Sequence, residues 1–457
     1  MTDIGRATVA MVMAMAAAAA LSSGCAAPST GAGNAAGAGE PGSAAGPEGT
    51  SAPHVAKAAR SVYAPWTHGP PTDPAFFPIG VWLQAPKRAG AYKAAGINHY
   101  VGLWKGPTEE QLTELKKHDM RVICAMNEVG LKHRDDPTII AWMHGDEPDN
   151  AHSMKDYWQS DLAAIKREWP DAPDRTLERW GQYGPPIPPR RIIEDYDRIR
   201  QADPSRPVLL NLGQGVAWDD YRGRGVRRGH LEDYAEYLKG CDIASYDIYP
   251  GLHAHPDVAG RLEMTALGVE RLRRWSGDRK IVWNIIEAAH TVGKSPKKAT
   301  PPEVRSQVWM SIIQGSRGIV YIVHQFAPKF VEAGLLTDAP EDREMLKAVT
   351  ALNGQIRRLA PVLNSPTHTA LVTVASSNPD VPVDVMVKRH GGETYLFAAA
   401  MRDGETTATF TVKGVPPNAA ALADGEDRSL PVKGGRFTDT FKGYGVHIYR
   451  VCEPDTR

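Results

Sequence analysis

At 457 residues the chain is too long for one ordinary core and suits a large barrel with a second domain. Lys plus Arg (53) balances Asp plus Glu (53), so the basic excess expected of a nucleic-acid binder is missing. The four cysteines, Cys25, Cys124, Cys241 and Cys452, form no CxxC pair and no zinc-finger spacing, so neither a disulfide framework nor a structural zinc site is indicated.

Residues 1–25 read as a targeting segment. Arg6 gives a thin basic start, an apolar run extends from Thr8 through Leu21, and Ser22-Ser23-Gly24 lead to Cys25. The run is short for a membrane span and ends in small residues, as signal peptides do. Small residues directly before a cysteine resemble the bacterial lipobox, although Leu21 stands four places before Cys25 where that pattern has leucine at three. The resemblance implies lipidation at Cys25 and an exported, membrane-anchored protein of the cell envelope, with plain secretion as the alternative. Residues 26–60 are dominated by Ala, Gly, Ser and Pro and are expected to form a flexible linker.

From Phe76 onward, short apolar runs alternate with amphipathic stretches, the signature of βα units. Eight strands are expected: Pro78–Leu83, Ile97–Leu103, Arg121–Met126, Ile140–His144, Pro207–Leu212, Asp242–Tyr246, Lys280–Ile286 and Gly318–Val323. Thr108–His118 and Pro302–Gln314 read as outer helices. The fold class is therefore α/β, a (β/α)₈ TIM barrel over residues 61–362. An open doubly wound sheet is the alternative, but no GxGxxG or GxxxxGK[ST] loop follows any strand. The segment from Asp149 to Arg206 is long and rich in Pro and aromatics, and belongs to the C-terminal face if the barrel is right. A helix over Arg343–Leu359 is expected to stop at Pro361. Residues 363–457 then alternate as short strands (Ala370–Val374, Val383–Lys388, Thr394–Ala399, Thr407–Val412 and Val446–Val451), which predicts a small C-terminal β-sandwich.

In a barrel enzyme the chemistry sits at the C-terminal ends of strands. The fourth run ends in His144-Gly145-Asp146-Glu147-Pro148 and the seventh in Glu287. Carboxylates avoid apolar runs unless they are paired or used, and two glutamates at such ends suit glycosidic cleavage. The same rule marks Trp82 and Gln84, Trp104, Asn127 and Glu128, Tyr246, Asp247 and Tyr249, Trp283, and His324 and Gln325 as sugar-contact candidates. His144, His290 and His324 lack any HExxH-type spacing, so hydrogen-bonding roles are preferred to metal binding.

Glutamates at the ends of the fourth and seventh strands resemble the clan A, or 4/7, glycoside hydrolases. The stretch PPEVRSQVWMSIIQGSRGIVYI, and a long helix leading into a β-sandwich, look like β-galactosidase-like members. The resemblance implies Glu147 as acid/base, Glu287 as nucleophile, and a retaining glycosidase that requires no cofactor or metal and acts on an extracytoplasmic oligo- or polysaccharide. Clan members usually place Asn before the acid/base to contact the sugar 2-hydroxyl; here Asp146 stands there, and could itself be the acid. The alternatives are a non-catalytic glycan-binding lipoprotein on a degenerate barrel and a metal-dependent hydrolase of glycan substituents. Beyond a carbohydrate substrate and membrane contact through the anchor, no partner is indicated.

Overall fold

A computed structural model of the chain describes residues 60–289, 298–325, 329–416 and 418–452. The signal segment with Cys25, the linker up to residue 59, and His290 lie outside the described residues.

Eight parallel strands form the barrel: β1 (Ile79–Trp82), β2 (His99–Val101), β3 (Arg121–Cys124), β4 (Ile139–Met143), β5 (Val208–Leu212), β6 (Ile243–Tyr246), β7 (Ile281–Val282 and Asn284–Glu287) and β8 (Ile319–Ile322). Each coincides with an expected strand. Almost every residue in them is buried, because a parallel sheet covered by helices faces no water on either side. The seventh strand is interrupted at Trp283. Its first part pairs with β6 and its second part with β8, and a bridge from Asp247 to Ile285 spans the join, so the ring closes.

The helices in chain order are α1 (Ala89–Ala94), α2 (Glu109–Lys117), α3 (Glu128–Lys132), α4 (Leu162–Glu168), α5 (Leu177–Trp180), α6 (Pro189–Ala202), α7 (Asp233–Tyr237), α8 (Glu263–Ser276), α9 (Pro301–Ile313) and α10 (Pro340–Leu363). Local chemistry fixes several starts. Thr108 and Thr300 each form a reciprocal capping box with a residue three places on, and Pro301 occupies the first turn of α9, where its missing N–H costs nothing. One expectation needs correction. Pro361 does not stop the last helix, which runs to Leu363 with the proline inside its final turn.

Residues 60–77 cover the N-terminal mouth. The Tyr63 hydroxyl donates to the Arg317 carbonyl just before β8 and accepts from Trp283 Nε1, while His68 bonds Ser205 just before β5. Beyond α10, eight antiparallel strands form two sheets. In sheet order they are β9 (Val372–Ser376), β12 (Glu405–Val412) and β15 (Arg436–Lys442) in one, and β10 (Val383–His390), β11 (Glu393–Ala400), β16 (Val446–Cys452), β13 (Ala420–Ala423) and β14 (Arg428–Pro431) in the other. The three strands β13 to β15 were not expected. The sandwich has its own core, with Phe410 stacked on Phe437 at 4.8 Å, and docks on the barrel's helices. There Trp309 of α9 stacks on Phe397 at 5.6 Å, and the Tyr444 hydroxyl donates to Glu263 at 2.6 Å.

Candidate active site at the C-terminal mouth

β4 leaves the barrel through Gly145-Asp146-Glu147-Pro148. Glu147 takes a φ of +42°, a left-handed conformation that a glutamate adopts only under constraint. Bonds on both sides hold it: its N–H donates to the Asn211 carbonyl and its own carbonyl accepts from the Asn150 N–H, each at 3.1 Å. Outliers of this kind collect at functional sites, where surrounding structure keeps a side chain aimed.

Three carboxyl groups meet there. Asn211, an amide inside the otherwise apolar β5, donates through Nδ2 to Asp146 at 2.9 Å and to Asp247 at 3.3 Å. Ser245 in turn donates to Asn211 Oδ1 at 2.8 Å. Asp247 and Tyr249 lie beside Glu147 and Asp146, near enough for the Asp247 charge to bear on both acids. Burial first, and then Asp247 and Asp146, raise the Glu147 carboxyl well above its usual range. Asp146 keeps part of its surface open, yet burial of the carboxyl, with Asp247 next in weight, pushes it to about 7. Burial raises Asp247 too. Such a cluster binds protons more tightly than isolated carboxylates do, and its proton affinities belong to the group rather than to one residue.

Around the cluster lie polar atoms that are buried and make no hydrogen bond among the described residues: Glu147 Oε1, Asn150 Oδ1, His152 Nε2, Gln214 Oε1 and Trp218 Nε1. Buried polar atoms are nearly always satisfied, so several orphans on adjoining turns mark a surface built for a polar ligand. Asn150 ties this wall to the acids, since its Nδ2 donates to Glu147 Oε2 at 2.8 Å. Trp218 packs against His253 and His255, with ring centroids 5.5 and 4.7 Å away. Asp149 serves the scaffold, accepting from Gly213 N–H at 2.8 Å and the Tyr234 hydroxyl at 3.0 Å.

The expected site residues fall into four groups. Asp146, Glu147, Asp247 and Tyr249 come together. Glu287 is fully buried and does not bond to them: Oε1 accepts from Gly251 N–H at 2.6 Å and Gln307 Nε2 at 2.8 Å, and Oε2 accepts from Leu252 N–H at 3.0 Å. Burial nevertheless raises its carboxyl to about 8, against the lowering effect of those three donors. Trp82 and His324 lie on the β1–β8 side, where His324 bonds Gln84 and the Leu83 carbonyl and burial lowers its ring to about 4; Trp104 is exposed.

Three candidates have other duties. Tyr246 points outward, because strand alternation puts its neighbours Ser245 and Asp247 inward, and its hydroxyl donates to Met264 and Thr265 carbonyls on α8. Trp283 sits toward the N-terminal mouth against His99 and Tyr63, out of reach of the site. Asn127 caps α3, accepting from Gly130 N–H while donating to the Pro107 carbonyl. Sequence reading missed Asn211, Asn150, Gln214 and Trp218. Asn211 at least carried a signal, a lone amide within the apolar run Val208–Leu212. Among the described residues no group of three or more His, Cys, Asp or Glu side chains is arranged to hold a metal ion, and no helix is long and apolar enough to cross a membrane.

No protein-family model and no curated protein matches the sequence. Among solved structures the chain is similar to an alpha-amylase from Geobacillus thermoleovorans complexed with acarbose, with 12% identity over 83% of this chain and 98% of that one and a TM-score of 0.47. It is also similar to a maltogenic alpha-amylase from Thermotoga neapolitana (13% identity, 82% and 98% covered, TM-score 0.45). A catalytic mutant of a GH42 beta-galactosidase from G. stearothermophilus gives 10% identity, 82% and 98% covered, and a TM-score of 0.45.

Proposed function

We propose that the protein is a glycoside hydrolase acting on an extracytoplasmic glycan, with Glu147 as the general acid. One observation carries this reading. A carboxyl group whose proton affinity is raised by burial and by neighbouring acids stands at the C-terminal mouth of a barrel, ringed by unsatisfied polar atoms. A sugar hydroxyl both donates and accepts, which fits a wall offering carboxyl, amide, imidazole and indole groups together. A glycosidic oxygen needs the proton that such a carboxyl supplies.

We assign Glu287 to holding the loop after β6, because both its oxygens are already engaged by protein donors. Lipidation of Cys25 and an envelope location belong to the same reading and rest on the sequence alone.

The test is a polysaccharide and aryl-glycoside screen of the purified chain, with Glu147→Gln and Glu287→Gln in parallel. Glu147→Gln is expected to lower kcat by about 10²–10⁴-fold, and Glu287→Gln by less than about tenfold. Undiminished cleavage by Glu147→Gln would sink the assignment. Glycan binding without cleavage by the unaltered chain would favour the non-catalytic reading. Fatty-acid labelling abolished by Cys25→Ser tests the anchor.

A further inference from the structure

Asn150 lies on the turn that leaves β4 and closes on Glu147 twice. Its N–H donates to the Glu147 carbonyl at 3.1 Å, and its Nδ2 donates to Glu147 Oε2 at 2.8 Å. The other carboxyl oxygen, Oε1, is buried with no hydrogen-bond partner among the described residues. The two oxygens are therefore unlike. A protonated carboxyl has one oxygen that only accepts and one that carries the O–H. The amide at Oε2 marks that oxygen as the acceptor, which leaves the proton to Oε1. Gly213 keeps the amide in place: a Cβ there would stand 2.7 Å from Asn150 Oδ1 and 3.1 Å from Nδ2. Gly213 is itself tied to the β4 turn, since its N–H donates to Asp149 Oδ1 at 2.8 Å. The backbone after β5 thus backs the Asn150 amide against the acid.

Resting on the glycosidase reading, we infer that Asn150 is a positioning residue of that reaction: it turns the Glu147 carboxyl so that Oε1 delivers the proton, and it steadies the charge left behind. The Oε1 proton passes to the glycosidic oxygen while the C–O bond breaks and its electron pair stays with that oxygen. Water supplies the hydroxyl that ends on the anomeric carbon, and its remaining proton returns to Glu147. Between these events Glu147 is a carboxylate, and the Asn150 amide becomes a charge-assisted donor, roughly twice as strong as one to a neutral group. The bond therefore helps the transition state more than the ground state, which raises kcat rather than binding. The acids around Glu147 act in the opposite sense. Asp146 and Asp149 on the β4 turn and Asp247 at the end of β6 make its proton harder to release. Tyr221 after β5 and Tyr249 after β6 sense its charge, and the His152 ring faces its backbone. Against the acids, Asn150 makes the proton easier to give up.

The experiment compares Asn150→Ala and the isosteric Asn150→Asp with the parent chain across pH, on the glycoside that the screen identifies. Loss of the Glu147 proton sets the basic limb of kcat. Without the amide donor the carboxyl keeps its proton to higher pH, so in Asn150→Ala that limb should move up by about one pH unit. In Asn150→Asp, which adds a negative charge, it should move further. On the plateau kcat should fall by about 10–10²-fold in Asn150→Ala, with KM within about twofold of the parent value. Infrared titration of the carboxyl band that is missing from Glu147→Gln reads the same shift without substrate. If the alanine variant does not fold, the aspartate variant decides. An unmoved limb and band overturn the inference even where kcat falls, since that fall is then structural, and they leave the glycosidase reading standing. A parent chain that cleaves no glycoside overturns that reading, and the inference falls with it.

Discussion

Glu287 shows what a buried carboxyl does when it is built into a scaffold. It receives two backbone N–H groups from the loop that follows Asp247 and Tyr249, and a third donor from α9. Its position explains Gly251, where any Cβ would lie 2.7 Å from Glu287 Oε1. Glu287→Ala leaves the two N–H groups buried and unpaired, and is expected to destabilise the fold by roughly 2–4 kcal/mol in urea titration. A pH effect follows as well. With a folded value near 8 against an unfolded carboxyl near about 4.3, the folded state binds the proton more tightly. That contribution is complete below the unfolded value and disappears as pH rises through 8. Asp146, Glu147 and Asp247 shift in the same direction. The protein should therefore melt at a higher temperature at pH 5 than at pH 8, and Glu287→Gln should flatten that slope.

At the scale of elements, the barrel strands were legible because each is a short apolar run buried on both faces, between helices with ordinary capping signals. The strands β13 to β15 were not, since Arg428–Pro431 is largely polar and Arg436–Lys442 carries Asp439 between its two buried phenylalanines. The site was half legible. Acids at apolar strand ends pointed to Asp146, Glu147 and Asp247, which come together, and to Glu287, which bonds elsewhere, because the rule locates a residue without saying what its side chain meets. Facing was the other gap. Tyr246 lies one residue from the inward Asp247, and only strand parity separates a helix contact from a site contact. The long segment after β4 has a small core of its own, in which Met154, Trp158, Ile165, Trp169 and Trp180 pack together. The indole N–H groups of Trp158 and Trp169 bond to the carbonyls of Pro185 and Pro186. Trp158→Ala should raise amide hydrogen exchange across residues 150–188 while the barrel strands stay protected, since the cavity falls in that cluster alone. Equal loosening of β1–β3 would contradict a separate cluster.

For the whole molecule, the sandwich and barrel share apolar and polar contacts. Besides the Trp309–Phe397 stack, Ser306 donates to the Tyr444 carbonyl, and Asp424 receives Gln355 and Arg358 from α10. Ending the chain after Leu363 would expose Trp309 and the apolar face of α9. That product is expected to aggregate in size-exclusion chromatography where the full chain elutes cleanly, as large exposed apolar patches do. A monomeric, cooperatively melting barrel would show instead that the sandwich is dispensable for folding.

The segment from Arg60 runs in beneath the N-terminal mouth, touching the starts of β5 and β8, whereas the acids gather at the opposite end of the same strands. The barrel thus has its entering segment at one pole and the carboxyl cluster at the other. A bead or fluorescent fusion coupled ahead of Arg60 is therefore expected to leave the carboxyl cluster turned away from the support. A coupling placed on the turns after β4 or β6 would put the support against that cluster.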